Sequence, residues 1–497
     1  MPATDSAALY AAFKARDARF DGHFFVGVSS TGIYCRPVCR ARRPKEKNCA
    51  FYRTAAEAEQ AGYRPCLLCR PELAPGSSRT DAVALLARRA ARLLEENCGS
   101  EMNLNELAGR LGCTDRHLRR VFTAEFHVSP VQYLQTCRLL LAKNLLTDTN
   151  LSILEIAMAA GFGSLRRFND LFKKRYRMPP GTLRKGLPEE KRQNDGITLA
   201  LGCRPPYRFE ELLNFLASRA IKGVENVNGG EYRRTVQLLN ANRKPVYGWL
   251  KVSRAPSKNA KNDLSVTVSE TLLPVLPQVL GRVRHLFDLY CDPAAICETL
   301  KSMNEIRPGL WTPGIRLPGC FDAFETAVRA ILGQQITVKA AGTLTARLVQ
   351  AYGAPVRTGI EGLTHIFPAP ETVLALEGPI ETHLGPLGVI AARAGAIRDL
   401  AGLFARGEID LSPGSDVEAE TRKLTAIPGI GNWTARYIAM RVMGWPDIFL
   451  ETDAGVKKAL ESNSPGQLLE LAERWRPWRS YATISLWNSL QPEKKKI

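Results

Sequence analysis

The sequence predicts a multidomain chain with four folded parts: a small four-cysteine α+β module, an all-α double helix-turn-helix domain, a second α+β domain and an all-α helix-hairpin-helix domain. Three observations carry this. A chain of 497 residues is too long for a single hydrophobic core. Five of its 12 cysteines, Cys35, Cys39, Cys49, Cys66 and Cys69, crowd into one stretch near the N-terminus. Hydrophobic periodicity is helical from Asp81 to about Lys185, alternates with a β period from Ile197 to about Ala295, and is helical again to the end. The expected boundaries are residues 1–78, 79–186, a linker at 187–196, 197–295 and 296–497.

Composition is that of an ordinary globular protein, 45% hydrophobic and 24% charged. The net charge of +19, from 68 Lys and Arg against 49 Asp and Glu, favours polyanionic partners. No apolar run reaches spanning length, and MPATDSAALYAAFKARDARF lacks a charged segment followed by an apolar one. A soluble, cytoplasmic chain with no membrane partner is expected.

In the first module, Cys35-x3-Cys39 and Cys66-x2-Cys69 form two ligand pairs separated by enough chain to fold back. Four thiolates at this spacing read as a tetrahedral zinc site, one Zn(2+) per chain. Disulfide pairing, the competing reading, belongs to exported domains, and no export signal is present. Cys49 lies outside both pairs. A closed site of this kind is usually structural, but Arg36, Arg40, Arg42, Arg43, Lys45 and Lys47 supply phosphate-seeking charge around it, and a zinc-bound thiolate remains a nucleophile. TGIYCRPVCRAR and GYRPCLLCRPE resemble the N-terminal domain of the Ada family, which takes the methyl group from a methylphosphotriester in DNA. That resemblance implies Cys35 as the acceptor in a zinc-bound module, with Cys39, Cys66 and Cys69 completing the metal site. Methylation would remove one negative charge beside a basic surface, irreversibly, and tighten DNA binding.

LNELAGRLGCTDRHLRRVFTAEF reads as a helix, a turn at Gly112 and a second helix capped by Thr114. ILEIAMAAGFGSLRRFNDLFKKRYRMPP repeats the plan with Gly161, Gly163 and Ser164, about fifty residues on. The pair resembles the AraC family of transcription factors. Leu118, Val121, Phe122, Phe168, Leu171 and Phe172 are expected in the core. Arg116, Arg119 and Arg120 in the first unit, and Arg166, Arg167 and Asn169 in the second, are expected to face DNA, with base contact from one of each set. RKGLPEEKRQNDG follows as a polar linker.

ITLALGCRP, TVQLLNA, PVYGWLKVSR and LSVTVSETLL are alternating, β-branched strands around a helix at Glu210 to Ser218, and this domain is assigned no chemistry. Further on, KLTAIPGIGNWTARYIAMRVMGWPDIFLETD reads as helix, hairpin, helix. Gly429 and Gly431 would tighten the turn and bare N–H groups for a DNA phosphate at the start of a helix capped by Asn432. Asp453 follows Gly431 by 22 residues. An ionised carboxylate there suits scission of a C1′–N bond, where positive charge builds on the sugar.

This arrangement resembles the helix-hairpin-helix DNA glycosylases, and among them the AlkA-type 3-methyladenine DNA glycosylases. The resemblance implies Asp453 as the catalytic carboxylate, and the 197–295 layout matches that family's N-terminal domain. Trp433 stands where bifunctional relatives carry a lysine, so a monofunctional enzyme is implied. Gln335, in ILGQQITVKAA, occupies the place of the DNA wedge; Trp433, Tyr437 and Trp487 are implied in an aromatic base pocket, with Trp487 the foremost stacking residue. WTPGI at Trp311 to Ile315 is extra relative to the family.

The expected whole is a DNA alkylation-response protein, methyl acceptor, transcription regulator and base-excising enzyme. Double-stranded DNA is the expected partner, with RNA polymerase second and a monomer the expected state. The alternative is a zinc-dependent regulator whose glycosylase half binds DNA but is inactive.

Overall fold

A computed structural model describes residues 6–16, 24–37, 39–52, 58, 61–66, 69, 79–99, 103–185, 196–255 and 263–490. The expected boundary after residue 78 lies outside the described residues, as does the linker except for Gly196. The chain divides into two compact units, residues 1–91 with 104–130, and 92–103 with 131–497. Each helix-turn-helix therefore belongs to a different unit. Among the described residues no helix is long and apolar enough to cross a membrane.

In the first unit, helix Ser6–Ala15 accompanies a four-stranded sheet of order β3-β1-β2-β4. The strands are β1 (Phe25–Val28), β2 (Ile33–Cys35), β3 (Cys49–Tyr52) and β4 (Arg64–Pro65). Alternation along β1 feeds two separate clusters, Phe24 and Val26 with Ala12 and Phe13, and Phe25 with Tyr34 and Ala58. Cores this small are marginal without a metal or another staple. Helices Leu104–Arg110 and Asp115–Phe126 form the first helix-turn-helix. Thr114 caps the second of them by accepting from the His117 N–H at 3.3 Å, and Leu118, Val121 and Phe122 are buried.

The second unit begins with the other helix-turn-helix, Ile153–Ala159 and Leu165–Tyr176, with Ser164 capping through the Arg167 N–H. Gly161 has φ +78°, and a Cβ there would lie 2.3 Å from the Cys98 carbonyl oxygen, so the turn admits only glycine. Phe168 and Phe172 are fully buried; Leu171, expected in the core, is only half-buried. It sits at the edge of the apolar stripe, in a shallow depression with Arg166 and Arg167. Glu95 joins this motif to the following domain, accepting from the Tyr133 hydroxyl at 2.5 Å and the Tyr290 hydroxyl at 3.3 Å.

That domain is an antiparallel sheet of order β5-β9-β8-β7-β6. Its strands are β5 (Ile197–Gly202), β6 (Glu225–Asn228), β7 (Glu231–Leu239), β8 (Pro245–Arg254) and β9 (Asp263–Val268). The sequence reading omitted β6, whose ENVN is too polar to announce a strand; pairing with β7 holds it, Glu225 opposite Arg234. Helix Phe209–Ala217 buries Phe209, Leu212, Leu213, Phe215 and Leu216.

The helical remainder is built on Ala323–Leu332, Val338–Tyr352, Ala391–Ala405, Val417–Thr425, Asn432–Arg441, Ala454–Leu460 and Arg479–Ser489. Its core joins Ala327, Ile331, Ile397, Leu400, Leu424, Ile430, Ala435 and Ile438. The extra Trp311 to Ile315 segment is anchored at both ends. Asn304 bonds the Trp311 N–H and carbonyl at 2.9 and 3.0 Å, and the Gly314 carbonyl accepts from the Arg208 N–H.

Asp288 accepts from the Tyr481 hydroxyl at 2.9 Å and the Leu317 N–H at 3.0 Å, and burial pushes its carboxyl up from 3.8 to about 7. The folded state thus holds this proton more tightly than the unfolded chain, and the associated stability is lost as pH rises through that window. Asp288→Asn keeps an oxygen for both bonds and does not titrate. Its Tm is expected to gain on the wild type as pH rises from 5 to 8; a constant gap would exclude the assignment.

Candidate active site and metal centre

The hairpin is made by backbone rather than by side chains. Gly429 has φ +90°, and a Cβ there would meet the Ala392 carbonyl oxygen at 3.1 Å, so glycine is required. Gly431 is different. At φ −85° it is the N-cap of helix Asn432–Arg441, with nothing within 4 Å of the place a Cβ would take. Asn432, expected as the cap, is the first helical residue instead, and no side chain caps this helix. The fold does not need glycine at 431; its absent side chain leaves the first N–H groups of the helix open to an anion.

Gln334 ties the neighbouring loop to this hairpin, its Nε2 donating to the Gly429 carbonyl at 2.8 Å and to Thr434 Oγ1 at 3.0 Å. Arg393 in turn donates to the Gln334 carbonyl. The sequence reading missed Gln334, because nothing in a Gln-Gln pair says which one turns inward. Gln335 beside it is exposed, with φ +54°, a left-handed conformation costing roughly 1 kcal/mol or more in a non-glycine residue.

One cavity of about 1040 Å³ gathers Gln334, Gln335, Gly429, Gly431, Trp433, Tyr437, Asp453 and Trp487. Asp453 caps helix Ala454–Leu460: its Oδ1 accepts the Val456 N–H at 3.0 Å and the Trp487 Nε1–H at 2.8 Å. Both bonds fall on one oxygen, which holds the carboxylate and leaves Oδ2 without a hydrogen bond among the described residues. Trp487, expected foremost as a stacking residue, is held by that bond and by Phe215, whose ring lies parallel to it at 15° and 6.5 Å. Trp433 and Tyr437 stack on each other at 5.2 Å and 10°. Trp487→Phe keeps the ring and removes the donor. We expect base release to fall about tenfold or more, the size of one hydrogen bond to a charged group, with Tm nearly unchanged; an unaltered rate would show that the bond does not position Asp453.

The α+β domain, assigned no chemistry from sequence, contributes to this cavity through Leu216, Arg219, Glu225 and Arg234. Arg234 pairs with Glu325 at 2.7 Å, and Arg329 pairs with Glu225 at 3.1 Å and Glu325 at 3.2 Å. Arg234 and Glu325 are almost fully buried, where breaking such a pair costs about 3–5 kcal/mol. Burial would raise the Tyr437 phenol, but the charges of Arg441, Arg219 and Arg329 outweigh it and hold the group below the usual tyrosine range.

In the first unit the Sγ atoms of Cys35, Cys39, Cys66 and Cys69 lie within 4.8 Å of one another. Four Zn–S bonds in a tetrahedron would set them roughly 3.8 Å apart, so small adjustments admit one zinc ion. Thiols this crowded cannot all ionise without a cation among them. The Cys39 and Cys69 sulfurs accept backbone N–H groups, from Ala41 at 3.5 Å and Arg36 at 3.4 Å. Among the described residues no such donor reaches Cys35 or Cys66. Arg36, expected on the basic surface, is fully buried, immediately after the strand that ends at Cys35. Arg40, Arg42, Lys45 and Lys47 are exposed, while Arg43 lies over the Phe13 ring at 4.5 Å. Cys49 stands outside the cluster and donates to the Lys45 carbonyl.

The helix-turn-helix arginines are all exposed but not equivalent. Arg119 is paired with Asp115 at 2.8 Å, and Arg120 lies 3.1 Å from His117 Nδ1, whereas Arg116, Arg166 and Arg167 reach solvent.

Four family profiles match in succession: "Metal binding domain of Ada" at residues 8–72, "Helix-turn-helix domain" at 107–186, "AlkA N-terminal domain" at 198–322 and "HhH-GPD superfamily base excision DNA repair protein" at 328–464. The chain is 37% identical over 491 residues, 97% of its length and 96% of the relative's, to a Mycobacterium tuberculosis protein named "Probable bifunctional transcriptional activator/DNA repair enzyme AlkA". It is 38% identical to DNA-3-methyladenine glycosylase 2 of Escherichia coli, covering 58% of this chain and 95% of that one. It is 31% identical to "Bifunctional transcriptional activator/DNA repair enzyme AdaA" of Bacillus subtilis, covering 36% and 82%. With four successive domains and near full-length similarity in agreement, the chain belongs to the family of bifunctional proteins that join an Ada-type zinc and helix-turn-helix half to an AlkA-type DNA repair half.

Proposed function

We propose that the second unit excises alkylated bases such as 3-methyladenine by hydrolysing the N-glycosidic bond, and that the first takes methyl groups from DNA methylphosphotriesters onto Cys35. The observation that carries the first part is Asp453, with Oδ1 pinned and Oδ2 without a hydrogen bond among the described residues, in the lining of a cavity that also holds the hairpin glycines and a stacked aromatic pair. As the C1′–N bond lengthens, its electrons stay on the base and the sugar becomes cationic; the fixed carboxylate stabilises that charge without reorganising. Gly431 and the bared helix start would hold a backbone phosphate of the same strand, with Gln335 entering the gap left by the extruded nucleotide. No lysine follows the hairpin, so the reaction stops at the abasic site.

In the first unit, bound zinc supplies the positive charge that keeps four thiolates together. The Cys35 sulfur attacks the methyl carbon, the C–O bond breaks, and its electron pair stays on the phosphate oxygen. Hydrogen bonds draw charge from Cys39 and Cys69, which makes those two sulfurs weaker nucleophiles. Arg40, Arg42, Lys45 and Lys47 would hold the DNA backbone, and Arg116, Arg166 and Arg167 are the arginines we assign to promoter contact, with RNA polymerase the partner of the activated form.

The test is one tube. Zinc-loaded protein is incubated with methylated duplex DNA, peptides are mapped by mass, and free bases are counted. Methyl on Cys35 together with free 3-methyladenine is expected. Cys35 is buried and Cys69 half-buried, so methyl mapped to Cys69 would overturn the acceptor assignment, and no released base would overturn the glycosylase one.

A further inference from the structure

Asp453 and the hairpin can act on one nucleotide only if the span between them is held. The two sit in different frames. Most ties on the segment that leads to Asp453 run toward the C-terminal helices. Asp447 pairs with Arg479 at 2.6 Å, the Ile448 N–H donates to Ser480 Oγ at 3.0 Å, and Phe449 is buried against the Trp475 ring at 5.7 Å. Asp453 itself takes the Trp487 Nε1–H. These contacts fix the carboxylate relative to helix Arg479–Ser489, whereas the open N–H groups belong to helix Asn432–Arg441.

One charged contact joins the frames. Arg436, about one turn into the hairpin helix, donates through Nη1 to both carboxylate oxygens of Glu451, at 2.6 and 2.8 Å. Among the described residues no other hydrogen bond or ion pair links helix Asn432–Arg441 to residues 449–456. The Tyr437 and Trp487 rings also approach, at 6.3 Å, but a ring contact sets a distance less sharply than a charge-assisted hydrogen bond. Glu451 stands two residues before Asp453, and the Asp453 N–H donates to the Leu450 carbonyl at 3.0 Å, so a shift of Glu451 passes to Asp453 through one tight turn. Neither Arg436 nor Glu451 lines the cavity, whose wall here is Thr452, Asp453 and Ala454. Any effect they have on base release is therefore exerted through Asp453.

We propose that Arg436 and Glu451 are positioning residues for base release, their ion pair setting the span from a phosphate held at the start of the hairpin helix to the Asp453 carboxylate. This rests on the glycosylase reading above and adds two residues to that site. Gln334 makes the matching tie on the other side, holding the wedge loop to Gly429 and Thr434. Helix Asn432–Arg441 is thus the common reference for wedge, phosphate and carboxylate. Misplacing a reacting group by about 1 Å costs up to about 10²-fold in rate. Loss of the pair acts on the chemical step, because the backbone N–H groups that hold the phosphate stay where they are.

Release of 3-methyladenine from methylated duplex DNA is measured under single turnover over a range of concentrations of the full-length zinc-loaded protein, which separates the maximal rate from half-saturation. Glu451→Gln and Arg436→Gln are each expected to lower the maximal rate about 10- to 30-fold and to leave half-saturation within about twofold. The exchanged pair, Arg436→Glu with Glu451→Arg, is expected to recover part of the loss. The decisive readout is Glu451→Gln placed in Asp453→Asn. A pair that acts through the carboxylate has nothing left to position, so residual release is expected to change by less than about twofold. A merely structural pair would lower Tm and the active fraction alike in both backgrounds. An undiminished rate in Glu451→Gln, or a loss of the same size in the Asp453→Asn background, would overturn the proposal. A wild type that releases no base would overturn the glycosylase reading itself.

Discussion

Asp453→Asn is expected to lower base release about a thousandfold while the protein stays folded. The rate effect follows from charge: in the proposed reaction the carboxylate would face a sugar that becomes cationic only in the transition state, and one fixed electrostatic group of this kind is worth about 10²–10³ in rate or more. The folding side follows from geometry. Both hydrogen bonds to Asp453, from the Val456 N–H and the Trp487 Nε1–H, end on Oδ1. An asparagine amide oxygen accepts both, so the cap of helix Ala454–Leu460 and the seat of Trp487 survive. Asp453→Ala loses the cap as well and should cost about 1 kcal/mol of stability. Single-turnover release and thermal melts on the pair separate the two roles. Undiminished release by Asp453→Asn would favour the rival reading, in which the second unit only binds DNA.

What could be read from the sequence was whatever is local. Four cysteines in two tight pairs, Thr114 and Ser164 before their helices, and the Gly429 turn each involve residues a few positions apart, where spacing alone constrains geometry. The charged wall of the cavity is the opposite case. Arg234 reaches Glu325 across 91 residues, and Arg329 reaches Glu225 across 104. In sequence each is an ordinary charge on an amphipathic element. Only the docking of β6 and β7 against helix Ala323–Leu332 turns them into a buried network. Arg36 shows the same limit at short range: it follows the last residue of β2, and a cysteine-rich loop gives no clue to whether the arginine turns inward. Asn432 looked like a helix cap because its type is right, but the helix starts one residue earlier, on a glycine whose missing side chain the fold does not require.

Removing the metal should have the largest effect on the other half of the chain. Chelation, or Cys66→Ser, is expected to unfold the module of helix Ser6–Ala15 and strands β1 to β4 and to abolish methyl acceptance, with base release kept within about twofold. The module's apolar clusters are small, three or four buried residues each. Structural zinc sites contribute roughly 10–16 kcal/mol of apparent binding energy, more than a core of that size supplies. Without the cation, the thiols of Cys35, Cys39, Cys66 and Cys69 would stay within 4.8 Å of one another only by remaining largely protonated, and so without a nucleophile. Trypsin reports the unfolding directly, since Arg40, Arg42, Lys45 and Lys47 lie between the two cysteine pairs. Rapid cleavage there after chelation, with base release intact, is the expected result. A module that resists trypsin without zinc would mean that its two clusters suffice, and that the metal serves the thiolate chemistry alone.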